Sequence, residues 1–535
     1  MAFASSEMAA AERTAISLRG ETCPSKIIFA FIGVCAVAKL FAAWFSGFTG
    51  DEAYTVVISR SLELSYFDHP PLHQWIVHGF SALFGEGWWL RIPFLIMAVA
   101  INAPLYGLTR RLLGRDAALW ALFAFNATAY FTVWPDGLIL PDVPLFLFLT
   151  AGVWAVAEIL FGPRRKPSAV FALWLAAGLA FGLAGLAKYA AIFVPAGLFG
   201  FLIFSPQHRF WFRRPEPYAA AALALAIFSP VLVWNYQNDW VSFTFQSNRA
   251  AAVVSLNESA FVSFSAAFGA QIALLSPWMV VPLALALIDA MRSSGANSPG
   301  RFLLWLAGVP LVLFLSMPFM GKTAIPHWYN SAWIFAFPLF GHYASERGAK
   351  WLRPWAEASA VLTAAAFVLF VTYVAAGPFW QTAGVKSLKK DPTQWSYSWQ
   401  GLKESPSWQA IGAPHAFVVV DNWRVGGKTG AALGPDVPVC DFSKDPREFA
   451  FVCSADALLG QDALIVLPKE RSGEALRALA PYFQRLDPSE EIAIGRIGRS
   501  ERVVTLTRAH RLLMPYPLPF GNGRPVQLAA GIFAR

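Results

Sequence analysis

Asp51 and Glu52 stand side by side in Gly50-Asp51-Glu52-Ala53-Tyr54, at the point where a long apolar run ends. Adjacent carboxylates at such a boundary lose hydration unless they face water, a cation or a proton donor. A carboxylate held there can take the proton of a hydroxyl brought within about 3 Å, which is general-base chemistry. Plain solvation of a helix end is the competing account. Farther on, Tyr66-Phe67-Asp68-His69-Pro70-Pro71 adds an acid and an imidazole on a turn that two prolines fix. Asp136 and Asp142, in Trp134-Pro135-Asp136-Gly137 and Pro141-Asp142-Val143-Pro144, bring carboxylates from a second connection. Asp142 begins an apolar run, so it either caps a helix or converges on Asp51 to hold a metal ion or an acceptor sugar.

The elements that must position these residues are membrane spans. The chain has 535 residues, of which 56% are hydrophobic and 14% charged, with mean hydropathy +0.48. A soluble domain carries about 25% charged residues. The apolar residues come in runs such as Ile27–Phe45, Phe146–Phe161 and Val361–Ala376, the length that crosses a bilayer core. About eleven spans are expected on this basis, near 27–47, 88–108, 116–134, 143–161, 168–187, 189–205, 217–235, 266–288, 302–318, 328–345 and 356–376. The net charge of +9 does not point to nucleic acid, because the basic residues cluster in short connections: Arg110, Arg111 and Arg115; Arg164, Arg165 and Lys166; Arg209, Arg213 and Arg214; Arg347, Lys350 and Arg353. That is the positive-inside pattern. It puts residues 1–26 in the cytoplasm and the first loop, 48–87, outside. Residues 1–25 are polar and mixed in charge, so the first run reads as an uncleaved span. An odd span count places residues 377–535 outside as well.

Cations are sparse on the outer connections. Lys188, Arg249, Lys322 and the nearby His327 either neutralise a phosphate at the interface or, for the lysines and arginine, snorkel to lipid headgroups. Within the first loop, Tyr54, Ile58, Leu62 and Tyr66 recur at helical spacing, as do Leu72, Trp75, Ile76, Phe80, Leu83 and Phe84. Two amphipathic helices lying in the interface plane are expected. After Gly377 the composition becomes that of a soluble α/β domain, with strands expected at Phe417–Val420, Ala463–Leu467, Ile492–Ile497 and Val503–Leu506 and a helix at Gly473–Phe483. Phe417–Asp421 followed by Asn422-Trp423-Arg424-Val425-Gly426-Gly427-Lys428-Thr429 imitates a strand and phosphate-binding loop, but that loop needs glycine where Asn422 stands. A turn before a surface helix is expected instead. Cys440 and Cys453 lie in this domain, as a disulfide or as two buried thiols.

Asp51-Glu52-Ala53-Tyr54 and Tyr66-Phe67-Asp68-His69-Pro70, with Pro141–Leu145, Gly182–Tyr189, Pro230–Asn235, Gln271 and Ser276-Pro277, resemble the dolichyl-phosphate-mannose protein mannosyltransferase-like superfamily of GT-C glycosyltransferases. The similarity covers roughly residues 30–345 and is strongest to the bacterial branch of aminoarabinose lipid A transferase and the rhizobial galacturonosyltransferases. It implies a polytopic α-helical GT-C fold with a C-terminal soluble α/β domain, in the bacterial inner membrane, with the active site facing the periplasm. The implied reaction is inverting transfer from a polyprenyl-phosphate-linked sugar to a hydroxyl of lipid A, core oligosaccharide, another glycolipid or a protein. Asp51 would be the base, with Glu52 beside it. His69, Lys188, Arg249, Lys322 and His327 would face the donor phosphate or substrate, and Asp68 and Asp142 a metal or the acceptor. A divalent cation near the leaving phosphate occurs in part of the superfamily. The chain departs from the aminoarabinose enzyme at His69, where that enzyme has lysine, and at Ala53-Tyr54, where it has an arginine nearby, so the donor sugar does not follow from the resemblance. A transporter or lipid flippase would share the hydropathy, but it would place charges near the bilayer midplane.

Overall fold

The computed structural model of the chain describes residues 25–132, 138–251, 260–320, 325–347, 351–376, 398–411, 416–496 and 499–520. Seven helices among them are long and apolar enough to cross a membrane. They are α1 (Ser25–Phe45), α4 (Trp88–Leu113), α6 (Asp142–Leu160), α7 (Pro167–Ala187), α9 (Glu216–Gln237), α13 (Pro299–Phe319) and α15 (Leu352–Val374). The chain is a multi-pass membrane protein. Helices also stand at the four remaining expected positions, in shorter or broken form: α5 (Arg115–Asn126), α8 (Tyr189–Phe204), the pair α11 (Ala260–Leu275) and α12 (Pro277–Ser293), and α14 (Asn330–Arg347), while α10 (Val241–Ala251) follows α9 outside the expected spans. The expected single span at 266–288 is bent by 104° between its halves. Pro277 cannot donate the hydrogen bond that would continue the first half, and Ser276 before it adopts φ 73°. The Ser276 hydroxyl accepts from the Ala129 amide at 2.8 Å. Helices α5 and α14 are buried on nearly every side, which marks them as the centre of the bundle. Small residues let neighbours approach: a Cβ on Gly178 of α7 would fall 2.4 Å from the Ala220 carbonyl of α9.

The first loop folds into α2 (Gly50–Ile58) and α3 (Leu72–Phe84). Only the second matches its expected length. The first stops at Ile58, so Leu62 and Tyr66 fall outside it, and Tyr66 is buried beyond the helix. Nor does α2 lie open in the interface plane: Gly50 and every residue from Glu52 to Ile58 are buried.

The C-terminal domain is what covers it. Strands β1 (Ala416–Val420), β2 (Val439–Asp441), β3 (Asp462–Pro468), β4 (Phe483–Leu486), β5 (Glu490–Arg496) and β6 (Arg499–Leu512) form one sheet. Its order is β2-β1-β3-β6-β4, with β5 also paired to β6; β1 runs parallel to β2 and β3, and β6 is antiparallel to its neighbours. The expected strands are present, and Ile497 lies outside the described residues. The helix expected at Gly473–Phe483 starts and ends earlier, as Lys469–Leu479, because Phe483 belongs to β4. The segment that imitates a phosphate-binding loop is helix α16 (Trp423–Leu433), capped by the Asn422 side chain, which accepts from the Arg424 amide at 2.9 Å.

Helix α16 is not the surface helix expected from sequence. Its glycines set it against α2: a Cβ on Gly427 would sit 2.5 Å from the Tyr54 nitrogen and 2.6 Å from Tyr54 Cα, and one on Gly430 would sit 2.8 Å from the Val57 side chain. The Lys428 ammonium, buried in the same contact, donates to the Phe48 carbonyl at 2.7 Å. Gly427→Ala is therefore expected to weaken this docking by about 1–3 kcal/mol, because backbone cannot yield as a side chain does. Gly473→Ala, with nothing within 4 Å of the new methyl, serves as the control. Thermal melting with limited proteolysis checks it; equal behaviour of the two variants would show that the close approach is dispensable.

Candidate active site

Helix α2 presents its two acids in opposite directions because of how it starts. Thr49 caps it and accepts from the Glu52 amide, while the Glu52 carboxylate accepts from the Thr49 amide at 2.9 Å. That capping box turns Glu52 inward. There it accepts from Arg91 Nε at 2.8 Å and from the Leu138 amide at 2.9 Å. Burial alone would raise the Glu52 carboxyl, but the Arg91 charge and these hydrogen bonds outweigh it and hold it below its ordinary value. Arg91 also donates to the carbonyls of Ala43, Ser46 and Gly47 at 2.7, 2.8 and 2.9 Å, closing the end of α1. The structure thus separates the pair expected at the reacting centre. Glu52 does not line the cavity described below and has no acceptor capacity to spare for a substrate; it holds the helix from which Asp51 faces out.

Asp51 borders a cavity of about 1240 Å³. Around its mouth stand Asp51, Asp68, His69, Asp142, Lys188, His327, Arg424 and Arg447. Thr55, His73, Gln74 and Gln246 also line the cavity, and the rest of the lining is mostly apolar and runs between α7, α8 and α9, past Phe181, Leu198 and Leu202, to Trp174, Trp211 and Tyr218. From Lys188 to Trp174 along α7 is about 20 Å at helical rise.

The sequence candidates divide into three groups. His69, Lys188, His327, Asp68 and Asp142 are brought together with Asp51 around the mouth. Lys322, Asp136 and the side chain of Arg249 lie outside the described residues. Cys440 and Cys453 are joined as a disulfide, with Cα atoms 5.3 Å apart. Asp142 does not cap α6, whose cap residue is Pro141; both of its oxygens take the Lys188 ammonium, at 2.9 and 2.8 Å. Asp68 is buried and pairs with Arg447 at 3.0 Å. Each carboxylate offered to a metal is thus committed to a cation, and among the described residues no three metal-ligating side chains converge. Beside them, burial and the neighbouring His69 hold the His73 imidazole well below its ordinary value.

Two mouth residues carry no sequence signal of their own. Arg424, from α16, lies 3.4 Å from Asp51. Arg447 reaches Asp68 from the segment that the disulfide closes, at a backbone φ of 47°. The next residue, Glu448, accepts from the Phe67 amide at 2.6 Å, and its own amide donates to the Tyr54 hydroxyl at 3.1 Å. Burial pushes the Glu448 carboxyl well above its ordinary value despite the Phe67 amide. The C-terminal domain therefore forms one wall of the site, locked onto the Tyr66–His69 turn.

Residues 68–234 match the family described as dolichyl-phosphate-mannose-protein mannosyltransferase. Lipid A galacturonosyltransferase RgtD of Rhizobium johnstonii is 27% identical over 295 residues, which are 53% of this chain and 58% of RgtD. The chain is thus matched to somewhat over half the length of that relative. ArnT from Cupriavidus metallidurans superposes with a TM-score of 0.62 in the apo state, at 15% identity over 90% of this chain and 98% of ArnT. The ArnT structure bound to undecaprenyl phosphate gives the same score at 17% identity over 91% and 98%. The chain has a GT-C fold. The resemblance read from the sequence motifs agrees with these similarities to that superfamily and its bacterial branch. Within the GT-C fold the family-matched segment holds Asp68, His69, Asp142 and Lys188, whereas Asp51, Arg424 and Arg447 lie outside it.

The disulfide closes a loop of 13 residues in sequence separation, which restricts the unfolded chain by about 3 kcal/mol. Replacing both cysteines with serine is expected to cost the C-terminal domain that stability. Chemical denaturation of the oxidised, reduced and doubly substituted proteins checks this; equal stability of all three would contradict it.

Proposed function

We propose that the chain is an inverting glycosyltransferase that moves a sugar from polyprenyl phosphate to a glycolipid hydroxyl on the periplasmic face of the inner membrane. One observation carries the reading: a single cavity joins a mouth of paired acids and cations to an apolar channel about 20 Å deep along α7. A lipid-linked sugar has that same division, a polar head on a long hydrocarbon. The channel suits the prenyl chain, and the mouth holds the head where Asp51 can meet it. Undecaprenyl phosphate bound to ArnT and the lipid A acceptor named for RgtD support a polyprenyl donor and a lipid A type of acceptor.

Asp51 takes the proton of the acceptor hydroxyl as its oxygen bonds to the anomeric carbon. The bond from that carbon to the phosphate oxygen breaks, and polyprenyl phosphate leaves with the electron pair. Attack opposite the leaving group inverts the configuration. Lys188, His69 and His327 surround the mouth and favour the charge that gathers on the leaving phosphate. Asp142 keeps Lys188 extended towards it, and the bundle excludes water that would otherwise compete as acceptor.

Asp51→Asn is expected to lower turnover by about 10²–10⁴-fold, the usual contribution of a positioned base, with normal insertion and melting. The assay is transfer in lipid nanodiscs from uronic acid, aminopentose and hexose polyprenyl phosphates to lipid A, followed by mass spectrometry. Near-normal turnover of the variant removes Asp51 from the base role. Absence of transfer by the wild type from all three donors contradicts the reading as a whole.

A further inference from the structure

Trp423 opens α16 with two guanidinium groups against one indole. The central carbon of Arg447 lies 3.8 Å from the ring centroid and that of Arg424 4.1 Å. The two cations are therefore no more than about 8 Å apart, a separation that one phosphate or carboxylate can bridge with charge-assisted hydrogen bonds to both. Both border the cavity beside Asp51.

The two arms are held differently. Arg447 is 14% exposed, 3.0 Å from Asp68 and 3.7 Å from Asp445, on the loop that the disulfide closes. It is a fixed arm. Arg424 and Asp51 are each 36% exposed and meet at 3.4 Å, longer than a charge-assisted hydrogen bond ordinarily is. A pair so exposed is weak. Yet Arg424 stands on the carboxylate that an acceptor hydroxyl must reach, so the arrangement that holds Asp51 also occupies it.

We propose that Arg424 and Arg447 form a two-armed site for an oxyanion of the substrate, and that filling it draws Arg424 off Asp51. The base then opens to the acceptor only when an anionic substrate is in place. This rests on the transferase reading and adds a specificity determinant to it. Three groups carry the required chemistry: the donor phosphate, a carboxylate on the donor sugar, and a phosphate on the acceptor.

Binding separates this proposal from the transferase reading. Undecaprenyl phosphate, galacturonic acid, and lipid A with and without its phosphates are titrated into the full-length protein in nanodiscs, with wild type, Arg424→Gln, Arg447→Gln and Asp51→Asn compared. At least one probe should bind tenfold or more weakly to Arg424→Gln and to Arg447→Gln, with Arg424→Lys restoring part of the loss. The same probe should bind several-fold more tightly to Asp51→Asn, because the competing carboxylate is gone. A merely structural role for Arg424 does not produce that opposite sign. The probe that responds identifies which of the three groups fills the site. If the wild type transfers no sugar but binds a probe in this pattern, the oxyanion site stands and the transferase reading falls. If every probe binds all four proteins alike, or Asp51→Asn binds no tighter than wild type, the site is overturned even where transfer is robust.

Discussion

The buried guanidinium of Arg91 ties the first span to the helix that carries Asp51. It satisfies three carbonyls at the end of α1 and, through Glu52, the start of α2. Helix ends leave such groups unpaired, and at the edge of a bilayer water is a poor substitute. A pair as deeply buried as this one is a weak source of net stability, since desolvation offsets attraction, but losing one partner strands the other at about 3–5 kcal/mol. Its value lies in geometry. The sharp corner at Gly47–Thr49 is fixed, and Asp51 is aimed at the cavity while Glu52 is not.

The C-terminal domain depends on that corner as much as the candidate site does. Gly427 and Gly430 bring α16 onto the backbone of α2, and Lys428 donates to the carbonyl of Phe48, inside the same corner. Burial pushes the Lys428 amine down to about 7, with Glu52 opposing the shift. A domain docked on these terms is a wall of the site and brings Arg424 and Arg447 with it. The disulfide serves the same end, for the loop it closes carries Arg447 and Glu448 to the Tyr66–His69 turn.

What was legible in the sequence follows the range of the interactions involved. Apolar runs matched to bilayer thickness placed the helices, because lipid acts on each segment separately. The polar first-loop and Pro141–Leu145 motifs marked Asp51, Asp68, His69 and Asp142, all of which reach the mouth. Longer-range pairings were not legible. Arg424 and Asp51 are 373 residues apart, and no local pattern records which cation a carboxylate will meet. Glu52 read like Asp51 for that reason, since its distinguishing partner is Arg91. The glycines of α16 suggested a phosphate loop because the requirement for a close approach looks the same whether the partner is a phosphate or a helix. The bend at Ser276 was hidden by continuous hydropathy on both sides of Pro277.

The claim that one anchored corner organises both the helix that carries Asp51 and the docked domain is open to amide hydrogen exchange on the full-length protein. Glu52→Gln weakens the Arg91 anchor and breaks no hydrogen bond to α16, which senses Glu52 through its charge at Lys428. The account predicts that residues 50–58 and 423–433 lose protection together, while α6, α7 and α9 keep theirs. Unchanged protection of 423–433 alongside loss at 50–58, or no change at either, would contradict it.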